Sequence, residues 1–72
     1  MSLKQNERDR IREWINNEVG LYDDNDDYFN KFIDNGFDTI TIVKQMTKND
    51  LEEIGIVKLG HRNAIFNAIA KL

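Results

Sequence analysis

The stretch Gly55-Ile56-Val57-Lys58-Leu59-Gly60-His61-Arg62, running into Asn63-Ala64-Ile65-Phe66-Asn67-Ala68-Ile69-Ala70-Lys71-Leu72, decides how this chain folds. Ile65, Phe66, Ile69 and Leu72 recur at three- and four-residue steps, which places them on one face of a helix with a core beneath it. The spacing predicts a terminal helix over 59–72. Gly60 falls in its first turn, where a missing Cβ lets another backbone or a partner approach closely. Lys58, His61 and Arg62 crowd cations at the same end, and no acidic residue follows Glu53. Free N–H groups already make a helix start partially positive. Cations placed against that preference point to an acidic partner, hence to binding rather than catalysis.

Upstream, residues 7–19 read as a first helix, with Ile11, Trp14, Ile15 and Val19 on one face and Trp14 as a core anchor. Gly20 closes it. Tyr22-Asp23-Asp24-Asn25-Asp26-Asp27 reads as a solvated loop, because its close carboxylates repel one another. Asp26 or Asp27 is placed to cap a second helix over 27–35, whose apolar face is Tyr28, Phe29 and Phe32; Asn35-Gly36 stops it. Thr39-Ile40-Thr41-Ile42-Val43 is β-branched and reads locally as a strand, yet a lone strand has nothing to pair with. Thr47-x-x-Asp50 is a capping box with Asp where Glu or Gln is usual. It opens a helix to Ile54, with Leu51 and Ile54 inward and Gly55 as its end. Ile56, Val57 and Leu59 are bulky and want burial.

Seventy-two residues make one domain, whose small core leaves a net stability on the order of 3–5 kcal/mol. Residues 1–6 are expected to be a disordered leader or an expression scar, and residues 7–72 the domain. The absence of Cys removes disulfides and thiolate zinc sites, and fits a reducing cytoplasm or nucleus. The charged opening is unlike a signal peptide, and no apolar run approaches the ~20 residues of a membrane span. Net charge is −3, but unevenly spread: from Val57 onward there are three bases and no acid. A molecule with two such ends can dock head to tail on its own kind.

Residue inventory weighs against an enzyme. Ser2 is the only Ser, His61 the only His, and there is no Cys, so no nucleophile–base–orienter triad assembles from ordinary parts. Gly55-x-x-x-x-Gly60 has the glycine spacing of a phosphate loop, but His61-Arg62 stands where that loop needs Lys and then Ser or Thr. Asp23-x-Asn25-x-Asp27 offers the first ligand positions of a calcium loop, but Tyr28 and Asp34 stand where its Gly and Glu belong. No cofactor or metal is expected.

Gly55-Ile56-x-Lys58-Leu59-Gly60-His61-Arg62-x-x-Ile65, preceded by Met46-Thr47-x-x-Asp50-Leu51-x-x-Ile54, resembles the sterile alpha motif, or SAM, domain. Trp14-Ile15, Gly20-Leu21, Tyr28-x-x-x-Phe32 and Asn35-Gly36-Phe37-Asp38 extend the resemblance, in the same order, over residues 8–72. The gap between Gly20-Leu21 and Tyr28 is longer than that family's pattern. The resemblance implies an all-α, compact five-helix bundle with a long C-terminal helix, including a short third helix over 39–43 that Asp38 can cap. It implies a protein–protein interaction module that associates with itself or another SAM domain. The end-helix surface maps to Val57, Lys58, Gly60, His61 and Arg62, and the mid-domain surface to Asp34, Asp38, Asp50 and Glu53. Exposed ion pairs are worth only about 0–1 kcal/mol each, so an apolar contact through Val57 or Ile42 is needed as well. The alternative carried by the resemblance is RNA binding through Lys58, His61, Arg62 and Lys71, against which stand the acidic net charge and the sparse basic footprint.

Overall fold

A computed structural model of the chain describes residues 3–72; of the leader expected over residues 1–6, Met1 and Ser2 lie outside them. Helix α1 spans Leu3–Trp14 and continues into a π-helical segment, Ile15–Val19; α2 spans Asn25–Asp34, α3 Ile40–Val43, α4 Lys48–Glu53 and α5 Leu59–Ile69. No strand occurs among the described residues, and the bundle measures 35 × 22 × 21 Å. Ile11, Trp14 and Ile15 from the first helix meet Phe32 from α2, Leu51 from α4 and Ile65 from α5 in one buried core. The Trp14 and Phe32 ring centroids are 6.4 Å apart, so Trp14 is the anchor its spacing predicts. Burying a side chain of this size contributes about 1.5–3 kcal/mol.

Boundaries move where side chains find better partners. The first helix begins at Leu3 rather than Glu7. At its far end the Ile15 carbonyl accepts from the N–H groups of both Gly20 and Leu21, each at 3.1 Å, which gives the wide last turn. Helix α2 begins at Asn25, so Asp24, not Asp26 or Asp27, is the N-cap residue. Asp26 and Asp27 lie in the first turn, where carboxylates face a helix's positive end. Each also meets a cation: Asp26 receives Arg12 Nη1 at 2.6 Å, and Asp27 receives Lys31 Nζ at 2.7 Å. The acidic run is thus half loop and half helix: Tyr22–Asp24 make the turn, Asn25–Asp27 open α2, and Asp23, Asp26 and Asp27 stay exposed to solvent as expected. Asn25 is buried, donating Nδ2–H to the Arg12 carbonyl at 3.0 Å and accepting from Arg12 Nη1 at 3.1 Å. That locks α2 onto α1 and commits the central side chain of the calcium-loop spacing.

The β-branched run is helical. Thr39, not Asp38, caps α3, its Oγ1 accepting from the Ile42 N–H at 3.2 Å. The Glu7 carboxylate accepts the Ile40 N–H at 3.4 Å, and Val43 is fully buried. Burial and these caps override a strand preference of modest size. At α4 the capping box is complete: Asp50 N–H donates to Thr47 Oγ1 at 3.1 Å, and Thr47 N–H to Asp50 Oδ2 at 2.9 Å. Helix α5 ends at Ile69 rather than Leu72; Ile65 and Ile69 are buried, while Phe66 and Leu72 pack on the rim of the core. No helix among the described residues is long and apolar enough to cross a membrane.

Candidate functional site

The connection from α4 to α5 is built from its glycine outward. Gly55 has φ +99°, a conformation side chains strain to adopt. There the chain turns sharply, its N–H donating to the Glu52 carbonyl and the Ile56 N–H to the Leu51 carbonyl, both at 3.0 Å. These are the paired bonds of a Schellman helix end. Ile56 is thereby driven fully inside, and its carbonyl accepts from Arg62 Nη1 at 3.2 Å. With Ile56 pinned from both sides, the next residues project outward. Val57 is 78% exposed and Leu59 63% exposed. Of the three bulky residues expected to be buried here, only Ile56 is.

Leu59 is a surface residue that sequence reasoning missed, because it stands seven residues before Phe66 and so continues the apolar spacing of the helix in sequence. Gly60 has no heavy atom within 4 Å of where a Cβ would stand, leaving open space beside Leu59.

Lys58 and His61 meet a carboxylate of their own chain. Asp24, the N-cap residue of α2, makes no side-chain bond to its own helix. It reaches across instead, with Oδ1 3.7 Å from Lys58 Nζ and Oδ2 3.5 Å from His61 Nδ1. Lys58 is itself the N-cap residue of α5, so two partially positive helix starts meet around one negative side chain. Tyr28 Oη lies 2.5 Å from the same His61 Nδ1, with the rings edge to face at 5.5 Å. A neutral imidazole accepts the phenolic proton at Nδ1; a protonated one presents an N–H that Asp24 can receive. Burial raises the Tyr28 pKa above its ordinary 10.0, and the negative charges of Asp24 and Asp27 raise it further. Arg62, beside His61 in sequence, turns its guanidinium to the Ile56 carbonyl.

The mid-domain acids are less concentrated. Asp50 and Glu53 line a surface groove of about 300 Å³ together with Asn35, Phe37 and Ile54. Asp34 and Asp38 lie outside that lining. Asp50 is engaged in the capping box, and Glu53 accepts from Asn49 Nδ2 at 3.3 Å. Ile42 is 39% exposed. Among the described residues, no group of three His, Asp or Glu side chains is placed to hold a metal ion.

The small helical bundle thus presents uncovered apolar side chains beside a charged helix start. The SAM (sterile alpha motif) domain family model matches residues 4–72, and the chain belongs to that family. It is similar to Caskin-1 of Rattus norvegicus, 42% identical over 45 residues that make up 62% of this chain and 3% of that protein. Caskin-1 of Mus musculus matches to the same extent. Ephrin type-B receptor 1-A of Xenopus laevis is 35% identical over 63 residues, 86% of this chain and 6% of that protein. The chain thus spans a small fraction of the curated relatives it matches. No solved structure matches it significantly. SAM domains generally mediate protein–protein interaction.

Proposed function

We propose that this domain docks on another SAM domain, its own copy or a different one, as a scaffold or oligomerisation element of a larger protein inside the cell, in cytoplasm or nucleus. The end-helix surface is Val57, Lys58, Gly60, His61 and Arg62, joined by Leu59. The complementary surface is acidic and centred on the groove of Asp50 and Glu53, with Asp34 and Asp38 at its borders. The observation that carries this reading is the exposure of Val57 and Leu59 on either side of Lys58. Charge pairs alone give little affinity; bulky apolar side chains at the centre of a contact supply it. Two different patches make the contact heterologous, so copies continue into a chain rather than close into a two-fold dimer. An RNA-binding reading gains less support, since Asp24 already engages Lys58 and His61 and Arg62 bonds a carbonyl.

The test is sedimentation velocity over a concentration series. The unmodified chain is expected to grow in mass with concentration, while Val57→Asp and Glu53→Arg each stay small. Neither substitution touches the core, so melting temperatures should stay close to the unmodified value. Mixing the two variants should give a 1:1 complex that stops there, because each retains one good surface. An unmodified chain that remains monomeric at several hundred micromolar removes the homotypic form.

A further inference from the structure

Resting on the end-helix surface just proposed, we infer that Asp24 is an internal ligand of that surface. In the free domain its carboxylate occupies the place that an acidic side chain of a docking copy takes on Lys58 and His61. Three observations carry this. Asp24 stands at the N-cap of α2, where Asp usually accepts from the second or third N–H of its own helix, yet it makes no such bond. Its two oxygens divide between two cationic-end residues, Oδ1 toward Lys58 and Oδ2 toward His61. Its side chain is 29% exposed and that of Lys58 62% exposed, so an incoming carboxylate can reach the same ammonium. The internal contact therefore names the external ligand: one carboxylate, presented beside an apolar residue that covers Val57 or Leu59. A second copy of this chain offers such groups at Glu53 and Asp50, next to Ile54 and Phe37.

The contact acts as a brake on docking. A partner's acid must displace Asp24 or share the cations with it, so affinity is lower than the surface alone would give. Exposed ion pairs shift an equilibrium by no more than about fivefold, which bounds the effect. Asp24→Asn, which keeps a good N-cap residue, is expected to self-associate about two- to fivefold more tightly than the unmodified chain by sedimentation. Asp23→Asn is the control: it removes the same charge one residue away, from an exposed side chain with no cation paired to it among the described residues, and should change nothing. Equal gains in both variants, or no gain in Asp24→Asn, overturn the inference. Melting curves of both variants report whether they fold. A measurement on the unmodified chain needs no variant: the NMR signal of the Asp24 carboxyl carbon should move as concentration rises and the incoming acid takes its place. An assembly that forms while that signal stays fixed also overturns it. If Val57→Asp abolishes assembly and Asp24→Asn leaves it unchanged, the docking surface stands and only the brake falls. If the unmodified chain and every variant stay monomeric, the homotypic surface and the brake fall together.

Discussion

His61 was legible in the sequence only as a cation at a helix start; its neighbours were not, because they come from a segment 33 and more residues away. Tyr28 reads as an apolar face residue from its spacing, and it is buried, but its hydroxyl turns to His61. That placement has a measurable consequence. The phenol is held protonated by burial first and by the charges of Asp24 and Asp27 after that. Because the folded state keeps the proton more tightly than an unfolded chain, this group's contribution to stability is whole below about pH 10 and is lost as pH climbs through the higher folded value. Melting temperatures in an alkaline series should fall steeply in the unmodified chain. Tyr28→Phe should start lower, by about 0.5–1.5 kcal/mol for the lost hydrogen bond, and lack this part of the decline. Parallel alkaline curves for both proteins would remove the assignment.

At the scale of elements, stop and start signals carried the reading well, and charge carried it badly. Gly20, Gly36 and Gly55 end helices as expected, and Thr47 opens one. Within the acidic run, repulsion alone does not place the helix start, because Arg12 and Lys31, which pair with Asp26 and Asp27, lie one helix earlier and one turn later. The third helix was not legible locally, since four β-branched or aliphatic residues become helical through buried contacts and the Thr39 and Glu7 caps. Two substitutions separate these causes. Thr47→Ala removes the reciprocal cap of α4 and should cost about 1 kcal/mol. Gly55→Ala should cost about 1–2 kcal/mol from its backbone angle, and its Cβ would press on the Lys31 side chain at 3.0 Å. In a domain of this size each kcal/mol lowers the melting temperature by about 4–8 °C, so calorimetry resolves both. A Gly55→Ala protein that melts with the unmodified one would show the turn to be unstrained.

For the whole molecule, the all-helical class and the family were readable from order and spacing, because apolar stripes and caps are local. What lay beyond reach was which bulky residues stay outside: Val57 and Leu59 look like Ile56 by composition, and only the bend at Gly55 sorts them. The small core leaves little reserve. Phe32→Ala removes a fully buried ring at a cost of about 3–5 kcal/mol, comparable to the whole stability of so short a domain; circular dichroism at room temperature should show it largely unfolded. Assembly through Lys58 and the acidic groove should weaken as salt rises toward physiological strength, where charges farther apart than about 8 Å are screened. Association indifferent to salt would leave the apolar pair alone in charge.

Ile56 is clamped from both sides. Its N–H is held by the end of α4 and its carbonyl by the Arg62 side chain, so the residues beside it are displayed on a clamped peptide. A visitor meets a shape already set and need not organise it. Ordering entropy, which handicaps recognition by floppy segments, is largely spent when the domain folds, and the Ile56 amide should exchange with deuterium as slowly as the core itself.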